Sequence, residues 1–262
     1  MSSVWEFFWL VPLGLFAGGY GTLIGAGGGF ILAPTLLLIY PGEAPETLTV
    51  ISLSVVFFNS LSGTLAYLRS GRIEFKSGSI FALATMPGAV AGALTTAAIS
   101  RARFNLVFGI LLIAVAIFLA VSPSRKSAAA MAQSAGEPKR QLNLATMIIG
   151  AGVSSIFGFI SSFLGIGGGF LYVPALVYLL KFPVHIATAT SLFVLAITSL
   201  TGSVTHFAAG LFDHGLRQVI GLSIGAIVGA QVAARLSRHI HGEWIIRSLA
   251  VALAVVGLRL VV

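Results

Sequence analysis

The sequence predicts an all-α membrane protein: a polytopic helical bundle of about eight transmembrane segments in two related halves, the first segment of each half broken at a Gly-rich loop. Three observations predict it. Of 262 residues, 15 are Lys or Arg and 7 are Asp or Glu, so charged side chains make up 8% of the chain, against about 25% in soluble domains. Hydrophobic residues reach 57% and the mean hydropathy is +1.04, with the apolar residues gathered in uncharged runs long enough to cross a hydrocarbon core of ~30 Å as helices. A transmembrane barrel would instead show alternating segments of about ten residues. Finally, the chain repeats itself, with an interruption at the same place in each copy.

The predominantly apolar stretches are residues 7–40, 47–68, 78–98, 104–121, 143–180, 186–209, 216–234 and 244–262, the last two carrying Arg217, and Arg247 and Arg259, near their ends. The N-terminus, MSSVWEFFWLVPLGLF, has no Lys or Arg before its apolar run and further spans follow, so a cleaved signal peptide is not expected. Trp5 and Trp9 read as interfacial anchors. Between the fourth and fifth runs lies a polar stretch rich in Ser, Ala and basic side chains, which reads as a flexible linker. It divides the chain into an N-terminal repeat (1–121), a cytoplasmic linker (122–142) and a C-terminal repeat (143–262).

The repeat is explicit. GAGGGFILAPTL at 25–36 aligns with GIGGGFLYVPAL at 165–176, with 7 of 12 positions identical at an offset of 140. At an offset of 139, Ser52, Gly63 and Gly71 match Ser191, Gly202 and Gly210; at 137, GAVAGA from Gly88 matches GAIVGA from Gly225, and Arg101 matches Arg238. The pairs Gly88/Gly92 and Gly225/Gly229 lie four apart on one helix face, which lets neighbouring helices approach closely. Pro12 and Pro87 are expected to bend their helices.

The runs 7–40 and 143–180 are too long for one straight helix, since 34 residues at ~1.5 Å rise would extend ~50 Å. Consecutive glycines disfavour helix by about 1 kcal/mol each, which places the breaks at Gly25–Gly29 and Gly165–Gly169. A shorter helix then restarts near Phe30 or Phe170, with Pro34 and Pro174 in its first turn or just beyond. Lipid cannot satisfy the freed backbone groups, so each loop must be buried in protein or line a polar cavity. Amides at a helix N-terminus favour an anion there, and glycine lets the main chain approach it without a Cβ. Interrupted segments at matching places in two halves point to a transporter's central site. The candidate substrate-binding positions are therefore Gly25, Gly27, Gly28, Gly29, Gly165, Gly167, Gly168 and Gly169, weighed against a purely structural kink. A nucleotide loop does not fit, because GxGGG lacks the following Lys-Ser/Thr pair and a preceding strand.

The next span of each half supplies neutral donors. Residues 52–67 offer Ser52, Asn59, Ser60, Ser62 and Thr64; residues 191–206 offer Ser191, Thr198, Ser199, Thr201, Ser203 and His206. Serine and threonine in membrane helices often bond their own carbonyls. Clustered after each glycine loop, however, Ser52, Asn59, Ser60, Ser191, Ser199, Thr201 and His206 could complete an oxyanion cage, with Asn59 and His206 the sharpest candidates. The runs contain no Asp or Glu, which disfavours a cation substrate. His206 is the one ionisable side chain expected well inside, where a proton relay is conceivable, while Arg247 and Arg259 lie near the ends of the last span and can snorkel.

Without cysteine there is no disulfide, thiolate metal site or cysteine nucleophile, and no metal or other cofactor is expected. The net charge of +8 sits in short loops, which reads as topology-setting charge and not as a nucleic-acid surface. The partners expected are a small anion and the lipid bilayer, with a homodimer as one open assembly. If both broken runs are re-entrant hairpins, Arg69, Arg72, Lys76, Arg125, Lys126, Lys139, Arg140, Lys181, Arg235 and Arg238 share one side, against Arg101, Arg103 and Arg217. Full crossings divide the basic residues more evenly. The larger asymmetry favours hairpins, inverted repeats and external termini, whereas full crossings would put the termini in the cytoplasm; both threadings place the linker in the cytoplasm.

The paired motifs GAGGGFILAP and GIGGGFLYVP, each opening one of two related halves, resemble the TauE/SafE family of sulfite and organosulfonate exporters. The resemblance covers nearly the whole chain. It implies a multi-pass carrier of the bacterial or archaeal inner (plasma) membrane that exports small sulfur oxyanions such as sulfite or sulfoacetate, with the glycine loops at its site. The expectation is a non-enzymatic secondary transporter working by alternating access, with a passive anion channel as the alternative. Ser199 and His206 share a helix face, but no GxSG-like context accompanies them, so an intramembrane hydrolase is disfavoured.

Overall fold

The computed structural model describes residues 3–121, 144–178, 182–212, 214–237 and positions 251, 254, 255, 257 and 258. The expected linker and, apart from those last positions, the eighth expected segment lie outside the described residues. The regular elements of the described residues are helical: α1 (Ser3–Ile24), α2 (Gly29–Ile39), α3 (Pro45–Leu68), α4 (Phe75–Thr96) and α5 (Arg101–Val121), then α6 (Leu144–Leu164), α7 (Gly169–Tyr178), α8 (Val184–Ala208) and α9 (Leu216–Leu236). Among the described residues six stretches are long and apolar enough to cross a membrane: Phe7–Ile24, Pro45–Leu68, Phe75–Thr96, Met147–Leu164, Val184–Ala208 and Leu216–Leu236.

Local chemistry explains several helix starts. Pro45 opens α3, where its missing N–H costs nothing. The Glu74 carboxylate accepts from the Ser77 amide at 3.0 Å and caps α4. Gly215, with φ 109°, admits the sharp entry into α9.

Both overlong runs break where the glycines are, and each turns back on itself. Gly28 lies against Ala17 and Gly18. The Tyr20 and Phe30 rings are 6.2 Å apart, and Trp9 and Tyr40 meet at the same separation. Thus α2 retraces α1 and ends beside its beginning. In the second half Gly168 lies against Ser161 and Phe157, the Phe157 and Tyr172 rings are 5.2 Å apart, and the Tyr172 hydroxyl donates to the Ser154 carbonyl at 3.1 Å.

Helix pairing crosses the two halves. α1 runs along α9 and α6 runs along α4. Small residues make the approach possible. A Cβ on Gly88 would lie 1.8 Å from the Ser155 carbonyl oxygen, and on Gly92 2.2 Å from that of Phe159; on Gly225 and Gly229 it would lie 2.0 and 2.3 Å from those of Val11 and Leu15. The four-apart glycine pairs therefore bring main chain onto main chain, as expected of packed membrane helices. At the centre α3 and α8 run antiparallel, with Leu53 against Gly202 and Leu192 against Gly63. Large apolar side chains such as Leu83, Leu94, Ile224 and Val232 are left exposed on the outer faces of α4 and α9, the surfaces a bilayer would cover.

Candidate functional site

The two glycine loops cross at mid-depth. Gly27 and Gly167 both pack on Val56 and Leu195, which are fully buried, occupy the middle of α3 and α8, and are themselves one repeat apart. Residues 24–30 and 161–170 are buried without exception.

Each motif uses its glycines in two ways. Gly25, Gly27 and Gly28 have φ of 81°, 74° and 79°, and Gly165, Gly167 and Gly168 have 71°, 78° and 70°; an L-residue pays about 1–2 kcal/mol in that left-handed region. Gly29 and Gly169 are needed for the crossing itself. Their Cβ atoms would lie 2.4 Å from the Ile166 carbonyl oxygen and 2.5 Å from that of Gly25, so each touches the other half's loop.

The loops are partly satisfied from within. The amides of Ala26 and Gly27 donate to the Gly21 carbonyl at 2.7 and 3.2 Å, and that of Ile166 to Ser161 at 3.2 Å. The first amides of a helix have no intrahelical acceptor. Among the described residues no hydrogen bond engages the amides of Gly28, Gly29 and Phe30, or of Gly168, Gly169 and Phe170, as donors. Two helix N-termini, reached from opposite directions, thus converge at the centre of the bundle.

The expected side chains fall into distinct roles. Ser52 donates to the Gly165 carbonyl at 2.6 Å and Ser191 to the Gly25 carbonyl at 2.8 Å: the same bond made twice, each half's helix holding the other half's loop. Asn59 donates to the Thr22 hydroxyl at 3.2 Å. The Ser60 hydroxyl lies 2.9 Å from where a Cβ on Gly27 would stand; it is buried and has no protein partner. Ser199 and Thr201 bond back to the Leu195 and Ile197 carbonyls of their own helix at 2.5 and 2.9 Å, the ordinary behaviour of such residues. His206 is fully buried. Its ring lies against the Ser162 main chain without closing a hydrogen bond to it.

Several residues at this centre were not singled out from the sequence. Ser161 packs on Gly168, and Gly202 packs on the Ser162 hydroxyl. Among the described residues the buried side chains of Ser161, Ser162, Ser203 and His206 each have no hydrogen-bond partner. Their counterparts one repeat earlier are Gly21, Thr22, Thr64 and Tyr67, and there Thr22 pairs with Asn59. The repeat offset, extended a few residues upstream of each glycine motif, was the signal that could have found Ser161 and Ser162. Arg101 was likewise read only as topological charge. Its guanidinium donates to the carbonyls of Glu43, Leu37 (2.8 Å) and Tyr40 (3.4 Å), closing the C-terminal end of α2. Among the described residues no cluster of His, Asp and Glu could hold a metal ion.

A family model described as Sulfite exporter TauE/SafE matches residues 10–260. The chain is similar to the "Probable membrane transporter protein YunE" of Bacillus subtilis (strain 168), 32% identical over 266 residues and covering 96% of both chains. It is similar also to the "Probable membrane transporter protein MJ0441" of Methanocaldococcus jannaschii, 29% identical over 269 residues, with 97% of this chain and 96% of the relative covered. No solved structure matches.

Proposed function

The chain belongs to the TauE/SafE family of multi-pass membrane transporters, and from that premise we propose that it is a secondary carrier exporting small sulfur-containing anions, sulfite or an organosulfonate, by alternating access of the crossed glycine loops. One observation carries the reading: two helix N-termini meet at mid-depth with amides to spare and no ionised side chain in either loop. Two positive dipole ends attract an anion. Neutral donors bind it without a permanent ion pair, which favours release. Ser161, Ser162, Ser203 and His206 supply further donors on one side of the crossing, and Asn59 and Ser60 on the other.

Alternating access asks for a site that each half can expose in turn, and inverted repeats provide it. Supporting that organisation, α3 and α8 are equivalent by sequence yet run antiparallel, and the α1–α9 pairing is exchanged for α6–α4. Hairpin threading puts Arg69, Arg72, Lys76 and Arg235 on one face and Arg101, Arg103 and Arg217 on the other. The positive-inside rule then makes the first face cytoplasmic and the termini external, with α5 and residues 244–262 completing eight segments.

Flux of sulfite, sulfoacetate and sulfate in proteoliposomes tests the proposal. Saturable uptake with counterflow is the expected result; ohmic single-channel current would identify a passive channel instead.

A further inference from the structure

We propose that this chain carries a second anion site, at the mouth between the C-terminal ends of α3 and α9, where Arg69, Arg72 and Arg235 capture an oxyanion bearing two negative charges. The proposal goes beyond the carrier site, since it concerns a separate cavity with its own chemistry. That cavity has a volume of about 360 Å³ and is lined by the three arginines with Ser70, Gln231 and small alanine side chains. It holds several waters, or a solute larger than one sulfite.

Among the described residues no carboxylate lines it. Among the described residues the recorded ion pair, His214 with Glu43 at 2.6 Å, lies at the opposite ends of these helices, and no ion pair is recorded for the three arginines that line the cavity. Positive-inside topology needs basic residues on this face, but does not need them facing into one cavity. Like charges crowded around a shared space repel, and a divalent oxyanion relieves that repulsion while matching the guanidinium fork with paired hydrogen bonds.

The floor separates this site from the glycine loops. Gln231 Nε2 donates to both the carbonyl and the hydroxyl of Ser62 at 2.9 Å, and the Ser62 hydroxyl donates to the Ile227 carbonyl at 3.1 Å. This bridge ties α3 to α9 about one turn above the Asn59–Thr22 pair. An anion held by the arginines therefore waits outside a polar plug, and the site favours dianions before the carrier site is reached. Both a soluble dianion and a phosphomonoester lipid headgroup offer the required oxyanion chemistry.

Binding of sulfate and of monovalent methanesulfonate to the purified full chain in nanodiscs tests the idea, with the Gly168→Val background removing the loop site. The Gly168→Val protein is expected to bind sulfate more tightly than methanesulfonate, with an affinity that falls as ionic strength rises. Adding Arg69→Gln, Arg72→Gln and Arg235→Gln should weaken sulfate binding about tenfold or more, whereas the same three positions changed to Lys should retain most of it, showing that the fold survives substitution. Nanodiscs of phosphatidylcholine alone report the soluble anion; phosphatidic acid, a phosphomonoester, retained by the wild type and lost from the Gln triple identifies a headgroup as the occupant. Equal sulfate affinity in the Gln triple and its parent, or no preference for the divalent anion together with no phosphatidic acid retention, overturns the proposal. Should Gly168→Val still transport, the carrier reading fails while the arginine site stands.

Discussion

Gly28 and Gly29 are adjacent and each leaves no room for a side chain, for different reasons. At Gly28 the main chain holds φ 79° and a Cβ would stand 2.6 Å from the Ala17 carbonyl oxygen, so any side chain adds a left-handed penalty of about 1–2 kcal/mol to a clash. Gly28→Val and Gly168→Val should abolish flux in proteoliposomes while the protein still reaches the membrane. Gly29→Ala, with ordinary backbone angles, should do the same, because its methyl would enter the other loop. The serines divide as sharply. Ser52→Ala and Ser191→Ala each leave a buried loop carbonyl unpaired, costing about 1–3 kcal/mol, and should lower the thermal unfolding midpoint in detergent by several degrees. Ser199→Ala removes only a bond to its own helix and should leave that midpoint nearly unchanged. The helix breaks at the glycines were legible because both copies keep them. The division of labour among the hydroxyls was not, since whether a serine bonds its own helix or another half's loop depends on which helices become neighbours.

Among elements, the breaks at residues 25–28 and 165–168 could be read from length and glycine alone, but not the reversal of direction that follows. Hydropathy is the same for a segment that crosses and one that turns back; only the distribution of Lys and Arg favoured hairpins. The pairing Trp9–Tyr40 and the bonds from Arg101 to the carbonyls at the end of α2 depend on that reversal. Arg101→Gln removes a cation from a helix C-terminus and should cost about 0.3–2 kcal/mol, read as faster proteolysis of the α2–α3 connection. The helix-packing glycines behave as a matched set. Gly88→Leu and Gly225→Leu should each drive apart an equivalent pair, α4 from α6 or α1 from α9, and both should lose the monodisperse peak in size-exclusion chromatography.

For the whole molecule the reading rests on two halves inserted in opposite senses, so equivalent positions should face opposite compartments. Ser70 and Ala209 lie one repeat apart at the ends of α3 and α8, and the chain has no native cysteine to interfere. Ser70→Cys and Ala209→Cys should react with a membrane-impermeant thiol reagent from opposite faces; labelling from the same face would mean parallel repeats. Inversion matters to the proposed function because it would deliver two helix N-termini to one depth, where the proposed carrier binds its anion. Hydrogen exchange of the backbone amides in peptides spanning 25–32 and 165–172, with and without the transported anion, measures the convergence directly. Saturating anion should slow exchange in both loops about tenfold or more and leave distant helices unchanged; exchange unaltered in both loops while flux continues would contradict the account.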